Sequence, residues 1–301
     1  MNRRTFLRSA LGGAALSAVG LAAHGQAPRK PNVVIITTDD QGFGDLSCYG
    51  SETLHTPHID SLARDGVRFT DFYCASPVCT PSRAGLLTGC YPQRVGMSEP
   101  PVRRPNGELA PGGVLFPNSP SGLHPDEITI ADMLKAEGYA TGCIGKWHLG
   151  HLEPFLPTRQ GFDEYFGIPY SNDMIPACLM RGETIHEVET NQDVLTVRYA
   201  EESRDFIRRH ASEPFFLYVA HAMPHVPLFL SERFAGKSKG GIYGDVIEMI
   251  DWSVGEILAE LDKQGLRDDT LVVFTTDNGP WLIYTTHGGS AGPLRAGKGS
   301  C

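Results

Sequence analysis

The stretch VVIITTDD, residues 33–40, joins an apolar and mostly β-branched run to two adjacent carboxylates. Three comparable apolar runs follow along the chain, YATGCIG (139–145), FFLYVA (215–220) and LVVFTT (271–276). Residues 33–38, 215–220 and 271–276 show little alternation of apolar and polar side chains, which is typical of strands buried on both faces of a sheet. The four runs therefore predict strands, and the first strand ends at an acidic pair.

Amphipathic segments lie between these runs and predict helices at residues 56–66, 129–138, 194–210 and 243–265. Because strands alternate with helices, the sequence predicts an α/β fold with a mostly parallel central sheet flanked by helices. Residues 98–126 are rich in Pro, Gly, Asn and Ser and predict a long surface loop within the same domain.

The N-terminus has the features of an export signal. Basic residues within positions 1–8 precede an apolar segment at 11–23 and small residues near 27. This segment is too short and too rich in Gly and Ala for a membrane span and is typical of a signal peptide. The pair Arg3-Arg4 resembles a twin-arginine signal. We therefore expect a twin-arginine-type signal peptide at residues 1–27 and an exported mature protein, periplasmic or extracellular.

Charge and cysteine content limit the partners and the chemistry. The formal net charge is −9 at pH 7, and loss of the three arginines of residues 1–27 makes it −12. An acidic protein is poorly suited to bind nucleic acid or an anionic membrane, and we expect neither as a partner. The seven cysteines would permit disulfides in an exported protein, but their spacing reveals no pairing and matches no structural zinc site.

Unusual polar residues directly follow all four apolar runs. In chain order they are Asp39 and Asp40, then Lys146 and His148, then His221 and His225, then Asp277 and Asn278. Singly, each has an ordinary explanation, such as a cap, a turn or a structural histidine. In a parallel sheet, however, all four sets lie at the carboxyl edge, where open α/β sheets bind their ligands. Together they predict a functional site at this edge.

The residue types indicate a cation site beside an anion site. The oxygen atoms of Asp39, Asp40, Asp277 and Asn278 form the kind of ligand set that Ca²⁺ or Mg²⁺ prefers. Arg83, Lys146, Lys298 and the histidines would supply positive charge and proton donors around an anion. Cys79, in the stretch CTPSRAGLLTG (79–89), does not fit, because a thiolate is a soft ligand and a poor partner for a hard cation.

The stretch CTPSRAGLLTG resembles the Cys-x-Pro-Ser-Arg signature of the type I sulfatases, which belong to the alkaline-phosphatase superfamily. The resemblance covers nearly all of the chain after residue 27, in the ordered segments TTDDQGFGDLSCYG (37–50), TPHIDSLARDGVRFTDFY (56–73), GKWHLG (145–150), GFDEYFGIPYSND (161–173), HAMPHVPL (221–228), TTDNGP (275–280) and GGSAGPLRAGKGS (288–300). The GIPYSND stretch is most similar to the arylsulfatase A and N-acetylgalactosamine-6-sulfatase branch. The resemblance implies an alkaline-phosphatase-like sulfatase core that hydrolyses aryl or carbohydrate sulfate esters to an alcohol and inorganic sulfate.

The resemblance also implies how Cys79 functions. A formylglycine-generating enzyme or an anaerobic sulfatase-maturing enzyme would convert Cys79 to formylglycine, whose hydrate offers oxygen ligands. One hydroxyl of the hydrate attacks sulfur, with Asp277 accepting its proton. The implied metal ligands are Asp39, Asp40, Asp277, Asn278 and the modified Cys79, with Ca²⁺ favoured over Mg²⁺.

The remaining candidate residues take roles around the sulfate group. Arg83 would hold the hydrate, and Lys146, Ser171, His225 and Lys298 would bind the sulfate oxygens or the leaving group. His225 or Lys298 would protonate the departing alcohol. His148 would deprotonate the second hydroxyl and so release sulfate. His221 is expected behind these contacting groups.

Two alternative functions and one expectation about domain extent accompany this interpretation. The alternatives are a phosphodiesterase or phosphonate hydrolase of the same superfamily, and an inactive fragment that binds sulfated glycans. Family members also have a smaller C-terminal domain, so we expect residues 28–301 to be an incomplete, N-terminal part of the catalytic domain with weak or no turnover. The groups that recognise the rest of the substrate lie in variable loops, which leaves the individual sulfate ester open.

Overall fold

The computed structural model of the protein describes residues 29–98 and 113–300. The predicted signal peptide at residues 1–27 and residues 99–112 of the predicted loop at 98–126 lie outside the described residues. The described part of that loop, residues 113–126, contains no helix or strand, as the composition predicted.

Seven strands form one sheet: β1 (Asn32–Thr38), β2 (Ala140–Gly145), β3 (Glu164–Gly167), β4 (Leu179–Arg181), β5 (Thr184–Glu187), β6 (Phe215–Ala220) and β7 (Thr270–Thr276). Their order in the sheet is β5-β4-β3-β2-β6-β1-β7. Strands β3, β2, β6, β1 and β7 are mutually parallel, whereas β4 and β5 are antiparallel additions at one edge. The prediction of a mostly parallel sheet is therefore confirmed.

The four apolar runs of the sequence are four neighbouring strands, in the order β2-β6-β1-β7. Alternate residues of β1 pack on opposite faces, since Val34 and Ile36 belong to one buried cluster and Ile35 to another. The prediction that β7 is buried on both faces is wrong, however. It is an edge strand, and Leu271 and Val273 are exposed.

Within residues 29–98 and 113–300 there are five α-helices: α1 (Pro57–Asp65), α2 (Cys79–Thr88), α3 (Ile130–Ala136), α4 (Leu195–Arg209) and α5 (Gly241–Lys263). Residues of α1, α4 and α5 share one core cluster with the sheet, and residues of α2 and α3 share the cluster on the other face. Short 3₁₀ turns connect these elements at Phe43–Asp45, Ser47–Tyr49, Glu153–Phe155, Pro157–Arg159, Gln192–Val194, Glu232–Phe234, Arg267–Asp269 and Leu282–His287.

Helix α2 and strands β3–β5 were not predicted. Nearly every residue of α2 is buried, so the sequence lacks the apolar stripe that marks a helix at a protein surface. Strands β3, β4 and β5 are only three or four residues long, and β5 is largely exposed. Among the described residues, no helix is both long enough and apolar enough to cross a membrane.

Candidate active site

The turns that follow the four neighbouring strands meet at one edge of the sheet. Backbone hydrogen bonds join these turns, because the amide of Asp277 donates to Thr38 O at 3.0 Å and that of Lys146 to Ala220 O at 2.7 Å. The amide of His221 similarly donates to Thr37 O at 2.8 Å. The parallel sheet therefore brings together residues that are more than 200 positions apart in the chain.

Four buried oxygen-bearing side chains lie at the centre of this edge: Asp39, Asp40, Asp277 and Asn278. The amide of Asp40 donates to Asp277 Oδ1 at 3.3 Å, and Asn278 Nδ2 donates to Asp40 Oδ1 at 2.7 Å. Oδ1 of Asp39 and Oδ1 of Asn278 are buried without a hydrogen-bond partner. Buried acceptors are rarely left unsatisfied, and a hard cation would satisfy both. The donor set therefore fits a Ca²⁺ or Mg²⁺ ion.

Close packing of these carboxylates changes their acidity. Burial, together with the negative charge of Asp39, raises the pKa of Asp40 to about 7. The same two causes raise the pKa of Asp277. Burial alone would also raise the pKa of Asp39, but Lys146, His225 and Arg83 outweigh it and hold that pKa well below its ordinary value. The raised pKa values of Asp40 and Asp277 thus reflect burial and repulsion between carboxylates, which a bound cation would offset.

Arg83 connects helix α2 to this carboxylate cluster. Its side chain is fully buried, with Nε donating to Asp277 Oδ2 at 2.9 Å and Nη1 to the backbone oxygen of Lys146 at 2.9 Å. Nη2 lies 3.5 Å from Asp39 Oδ2. One guanidinium group therefore contacts the ends of three strands.

The amino groups of two lysines approach the cluster from different loops. Lys146 Nζ donates to Asp39 Oδ2 and to Ser171 Oγ, the latter at 3.0 Å. Lys298 Nζ donates to Asp40 Oδ2 at 2.8 Å, and its pKa is raised because Asp39 and Asp40 outweigh the opposing effect of burial. Lys298 thus remains charged at neutral pH, and the amino groups of both lysines lie beside the carboxylate cluster.

Cys79 is the first residue of α2 and is only 2% exposed. Burial raises the pKa of its thiol to about 11, despite the nearby charges of Lys146 and Lys298. An unmodified Cys79 is therefore a protonated thiol at neutral pH, which is a weak nucleophile and a weak ligand. The start of the helix is fixed by Thr80 Oγ1, which donates to His148 O at 3.0 Å, and by Ser82 Oγ, which donates to Asp277 O.

His148 is buried with one ring nitrogen free. Its Nε2 lies 2.9 Å from the carbonyl oxygen of Leu115, which can only accept, so Nε2 carries the proton. Nδ1 has no partner and keeps its lone pair. Burial and Lys146 hold the pKa of His148 well below its ordinary value, so the ring is neutral and Nδ1 can accept a hydrogen bond.

The other two histidines lie on different sides of the site. His225 Nε2 is 3.6 Å from Asp40 Oδ2, and its Nδ1 donates to Val226 O at 2.6 Å. His221 instead contacts Ser253 Oγ at 3.4 Å, and burial lowers its pKa to about 4. No contact between His221 and the carboxylate cluster is present in the described part of the chain, which agrees with its expected place behind the contacting groups.

Two further residues at this edge were missed from the sequence. Asn172 Nδ2 donates to His225 O at 3.2 Å and to Pro227 O at 2.9 Å, and so anchors the loop that carries His225. The ring of Trp281 lies 5.5 Å from the ring of His225, and Lys298 Nζ lies 4.3 Å from the Trp281 ring centre. The only available signal for Trp281 was its position three residues after Asn278, in the same strand-end turn.

The fold and the site together define a class of protein. It is an α/β domain in which the carboxyl edge of a mostly parallel sheet joins a hard-cation ligand set to a cluster of basic side chains and a buried cysteine. The chain belongs to the sulfatase family, because the family model described as Sulfatase matches residues 31–301.

Individual relatives agree with this assignment. Human arylsulfatase A is 39% identical over 310 residues, and rat N-acetylgalactosamine-6-sulfatase is 42% identical over 302 residues. Each match covers 94% of this chain, but the chain spans only 58% of the former relative and 56% of the latter.

Solved structures show the same fold. A protein from the locus for metabolism of multiple glycosaminoglycans in Bacteroides thetaiotaomicron superposes with a TM-score of 0.75 and 34% identity, covering 84% of this chain and 64% of that one. A sulfatase from Pseudoalteromonas sp. gives a TM-score of 0.79 and 28% identity, covering 90% of this chain and 59% of that one. The alkaline-phosphatase-like sulfatase core predicted from the sequence is therefore confirmed.

Proposed function

We propose that the protein hydrolyses aryl or carbohydrate sulfate esters to an alcohol and inorganic sulfate, with Cys79 converted to formylglycine and Ca²⁺ bound beside it. The observation that carries this proposal is the position of Cys79. It begins a buried helix and is close enough to Asp39, Asp277, Lys146 and Lys298 for all four charges to affect its pKa. A hydrated aldehyde at this position would meet a hard-cation site on one side and two ammonium groups on the other.

Asp39, Asp40, Asp277 and Asn278 would hold the cation, which would supply positive charge next to residue 79. The unpartnered Oδ1 atoms of Asp39 and Asn278 support this role. Ca²⁺ is favoured over Mg²⁺ because it accepts a larger and less regular set of oxygen ligands. Family membership supports a metal ion and formylglycine in general, and the identity of the ion is part of the proposal.

The basic residues would bind the sulfate group and stabilise the charge that develops on it. Lys146 is oriented by Ser171, and Arg83 by Asp277, so neither has to reorganise when an anion enters. Lys298 and His225 lie on the Asp40 side of the cluster, and one of them would protonate the departing alcohol. His148, with Nδ1 free, would accept the proton that residue 79 loses when sulfate is released.

The substrate class remains aryl or carbohydrate sulfate. Relatives at comparable identity include arylsulfatase A at 39%, N-acetylgalactosamine-6-sulfatase at 42% and a mouse steryl-sulfatase at 36%. A shared sulfate-binding core that accepts different leaving groups would explain why relatives of similar identity are named for different sulfate esters. Residues other than those described above would therefore determine which sulfated small molecule or glycan is the substrate.

The cellular context of the proposal rests on the sequence. A twin-arginine-type signal peptide at residues 1–27 would direct the protein to the periplasm or the exterior. This route exports folded proteins, so a formylglycine-generating or anaerobic sulfatase-maturing enzyme would act on Cys79 before export.

Mass spectrometry of the tryptic peptide 69–83 tests the modification directly. The peptide contains both Cys74 and Cys79, so Cys74 serves as an internal control. After alkylation we expect one labelled thiol, on Cys74, and at residue 79 the mass of an aldehyde. Two alkylated cysteines in protein co-produced with a maturing enzyme would contradict the proposal.

Activity assays on matched esters test the reaction. We expect the modified protein, extended C-terminally to the length of its relatives, to hydrolyse para-nitrophenyl sulfate faster than the diester bis(para-nitrophenyl) phosphate or a para-nitrophenyl phosphonate ester. The reverse order would support the phosphodiesterase or phosphonate hydrolase alternative. Binding of sulfated glycans without turnover, despite complete conversion of Cys79, would support the inactive-binder alternative.

A further inference from the structure

Trp281 lies between the two groups that approach Asp40 from outside the carboxylate cluster. It is half-buried, and its ring centre is 5.5 Å from that of His225, at an interplanar angle of 52°. Lys298 Nζ lies 4.3 Å from the centre of the same Trp281 ring. In the described ranges 29–98 and 113–300, the other cations that lie over aromatic rings are arginines.

The backbone fixes Trp281 and Lys298 relative to one another. The amide of Lys298 donates to Pro280 O at 2.9 Å, so the two loops are bonded immediately beside both side chains. Gly297 makes this approach possible, since a Cβ atom there would lie 2.0 Å from Pro280 O. The contact between ring and ammonium is therefore set by a close backbone junction rather than by two freely moving side chains.

Lys298 needs such a contact if it is to act on a leaving group. A lysine carries its charge on a flexible four-carbon stem, and within the described residues the Lys298 ammonium hydrogen-bonds only to Asp40 Oδ2, at 2.8 Å. A cation held by Asp40 would draw on the same carboxylate and weaken that attraction. The face of Trp281 attracts an ammonium group without competing for the cation, and the attraction is strongest where water is excluded. The Lys298 side chain is only 8% exposed.

We propose that Trp281 is a positioning residue that holds the Lys298 ammonium on the leaving-group side of the site, so that esters with strongly basic leaving groups depend on it. This inference rests on the proposed sulfatase function. Cleavage of a sulfate ester breaks the S–O bond to the alcohol oxygen, which takes both bonding electrons. An alkoxide or phenoxide oxygen then needs the proton or charge of Lys298, whereas para-nitrophenolate is a weak base and leaves without it.

Phenyl sulfate and para-nitrophenyl sulfate form the test pair, because both are aryl esters and they differ mainly in leaving-group basicity. We expect Trp281→Ala to lower kcat for phenyl sulfate about 10- to 100-fold, the range set by a lost cation–π contact and a misplaced charge. For para-nitrophenyl sulfate we expect a change of less than about threefold. Trp281→Phe keeps an aromatic face and should recover most of the phenyl sulfate activity.

A double-mutant cycle shows whether Trp281 acts through Lys298. In a Lys298→Ala background, Trp281→Ala should cost less than about twofold further on phenyl sulfate, because the group it positions is already gone. Trp252→Ala is the matched control. Its ring also carries a cation, with the Arg233 guanidinium 4.0 Å from the ring centre, but it belongs to helix α5 and not to the site. This control should leave the ratio of the two kcat values unchanged.

The outcomes separate this inference from the proposed function. If the wild-type protein with formylglycine, extended C-terminally to the length of its relatives, hydrolyses neither ester, the proposed function fails and the inference fails with it. If the wild type is active but Trp281→Ala slows both esters equally, Trp281 is merely structural and the inference alone is overturned. A raised KM for both esters at unchanged kcat would also overturn it, since Trp281 would then be a binding surface for the aryl ring.

Discussion

Arg83 and Asp277 form an ion pair that is completely shielded from solvent, with Arg83 Nε 2.9 Å and Nη2 2.8 Å from Asp277 Oδ2. Arg83 lies on the helix that Cys79 begins, and Asp277 directly follows β7. The pair therefore fixes the position of the proposed catalytic residue relative to the proposed metal ligands. It also balances part of the charge of a carboxylate whose pKa burial and Asp39 raise.

Replacing Arg83 should destabilise the fold strongly. Arg83→Met preserves much of the side-chain volume but leaves Asp277 buried without its cation, and loss of one partner of a buried pair costs about 3–5 kcal/mol. We expect this loss in urea unfolding of the metal-free protein. Arg64→Met is the control, because Arg64 pairs with Asp65 at the surface and its loss should have no measurable effect. Equal stability of Arg83→Met and the wild type would contradict this role for the pair.

Removal of metal should lower both activity and melting temperature, and Ca²⁺ should restore both. Without a cation, Asp39, Asp40 and Asp277 repel one another, and a ligand that binds only the folded state raises its stability. Differential scanning fluorimetry with chelator, Ca²⁺ and Mg²⁺ measures the effect. Asn278→Ala removes one unpartnered oxygen and should raise the Ca²⁺ concentration needed for the shift, whereas the exposed Asp268→Asn should not. If adding Ca²⁺ to the metal-free protein leaves the melting temperature unchanged, the metal site is refuted.

Cys79→Ala should abolish hydrolysis of sulfate esters and leave the fold intact, because only a sulfur atom is removed from the start of α2. Cys79→Ser should be nearly inactive as well. A single serine hydroxyl can accept the sulfuryl group once, but it has no second hydroxyl with which to expel sulfate. Mass spectrometry of peptide 69–83 after incubation with para-nitrophenyl sulfate should then show a persistent sulfate adduct. Multiple turnover by the serine variant at the wild-type rate would exclude the formylglycine mechanism.

The sequence predicted the centre of the fold well, because its signals there are local. Strands β1 and β6 are short runs of apolar residues buried on both faces, and their polar ends mark the functional edge. Helix α2 was not predicted because it is buried on all sides. Strands β4 and β5 were not predicted because they are short and pair at the edge of the sheet. These features depend on neighbours distant in sequence, which local periodicity does not report.

The residues of the candidate site likewise differ in whether the sequence could predict them. Residues next to strand ends, such as Asp39 and Lys146, could be predicted from topology alone, since parallel strands deliver their C-terminal ends to one edge. Arg83 and Lys298 were expected from their charge to lie around an anion, but their individual roles required the family resemblance. Ser171 required it altogether, because this residue comes from a loop whose path the sequence does not specify. The free nitrogen of His148 and the contact between Trp281 and Lys298 could not be predicted at all. Both depend on side-chain packing between separate loops.

Asp251 provides a test of pH dependence away from the site. It lies on α5 and accepts hydrogen bonds from the backbone amides of His58 at 3.0 Å and Ile59 at 2.8 Å, at the start of α1. The preceding Thr56 makes no side-chain cap for α1, so Asp251 replaces that cap from another helix. Burial raises the pKa of Asp251 to about 6, although these amides oppose the shift.

The sign of the effect follows from this raised pKa. Between about pH 4 and pH 6 the folded protein retains a proton on Asp251 that the unfolded chain has released, so this residue lowers stability as the pH rises through that window. Asp251→Asn keeps an acceptor oxygen for α1 and removes the titration. We expect its free energy of unfolding to depend less on pH, by up to about 3 kcal/mol across the window. Urea unfolding at a series of pH values measures the difference from wild type. Asp262→Asn, at an exposed position of the same helix, should behave like the wild type. If the Asp251→Asn profile instead runs parallel to that of the wild type, the carboxyl is already ionised in the folded protein and Asp251 caps α1 as a carboxylate.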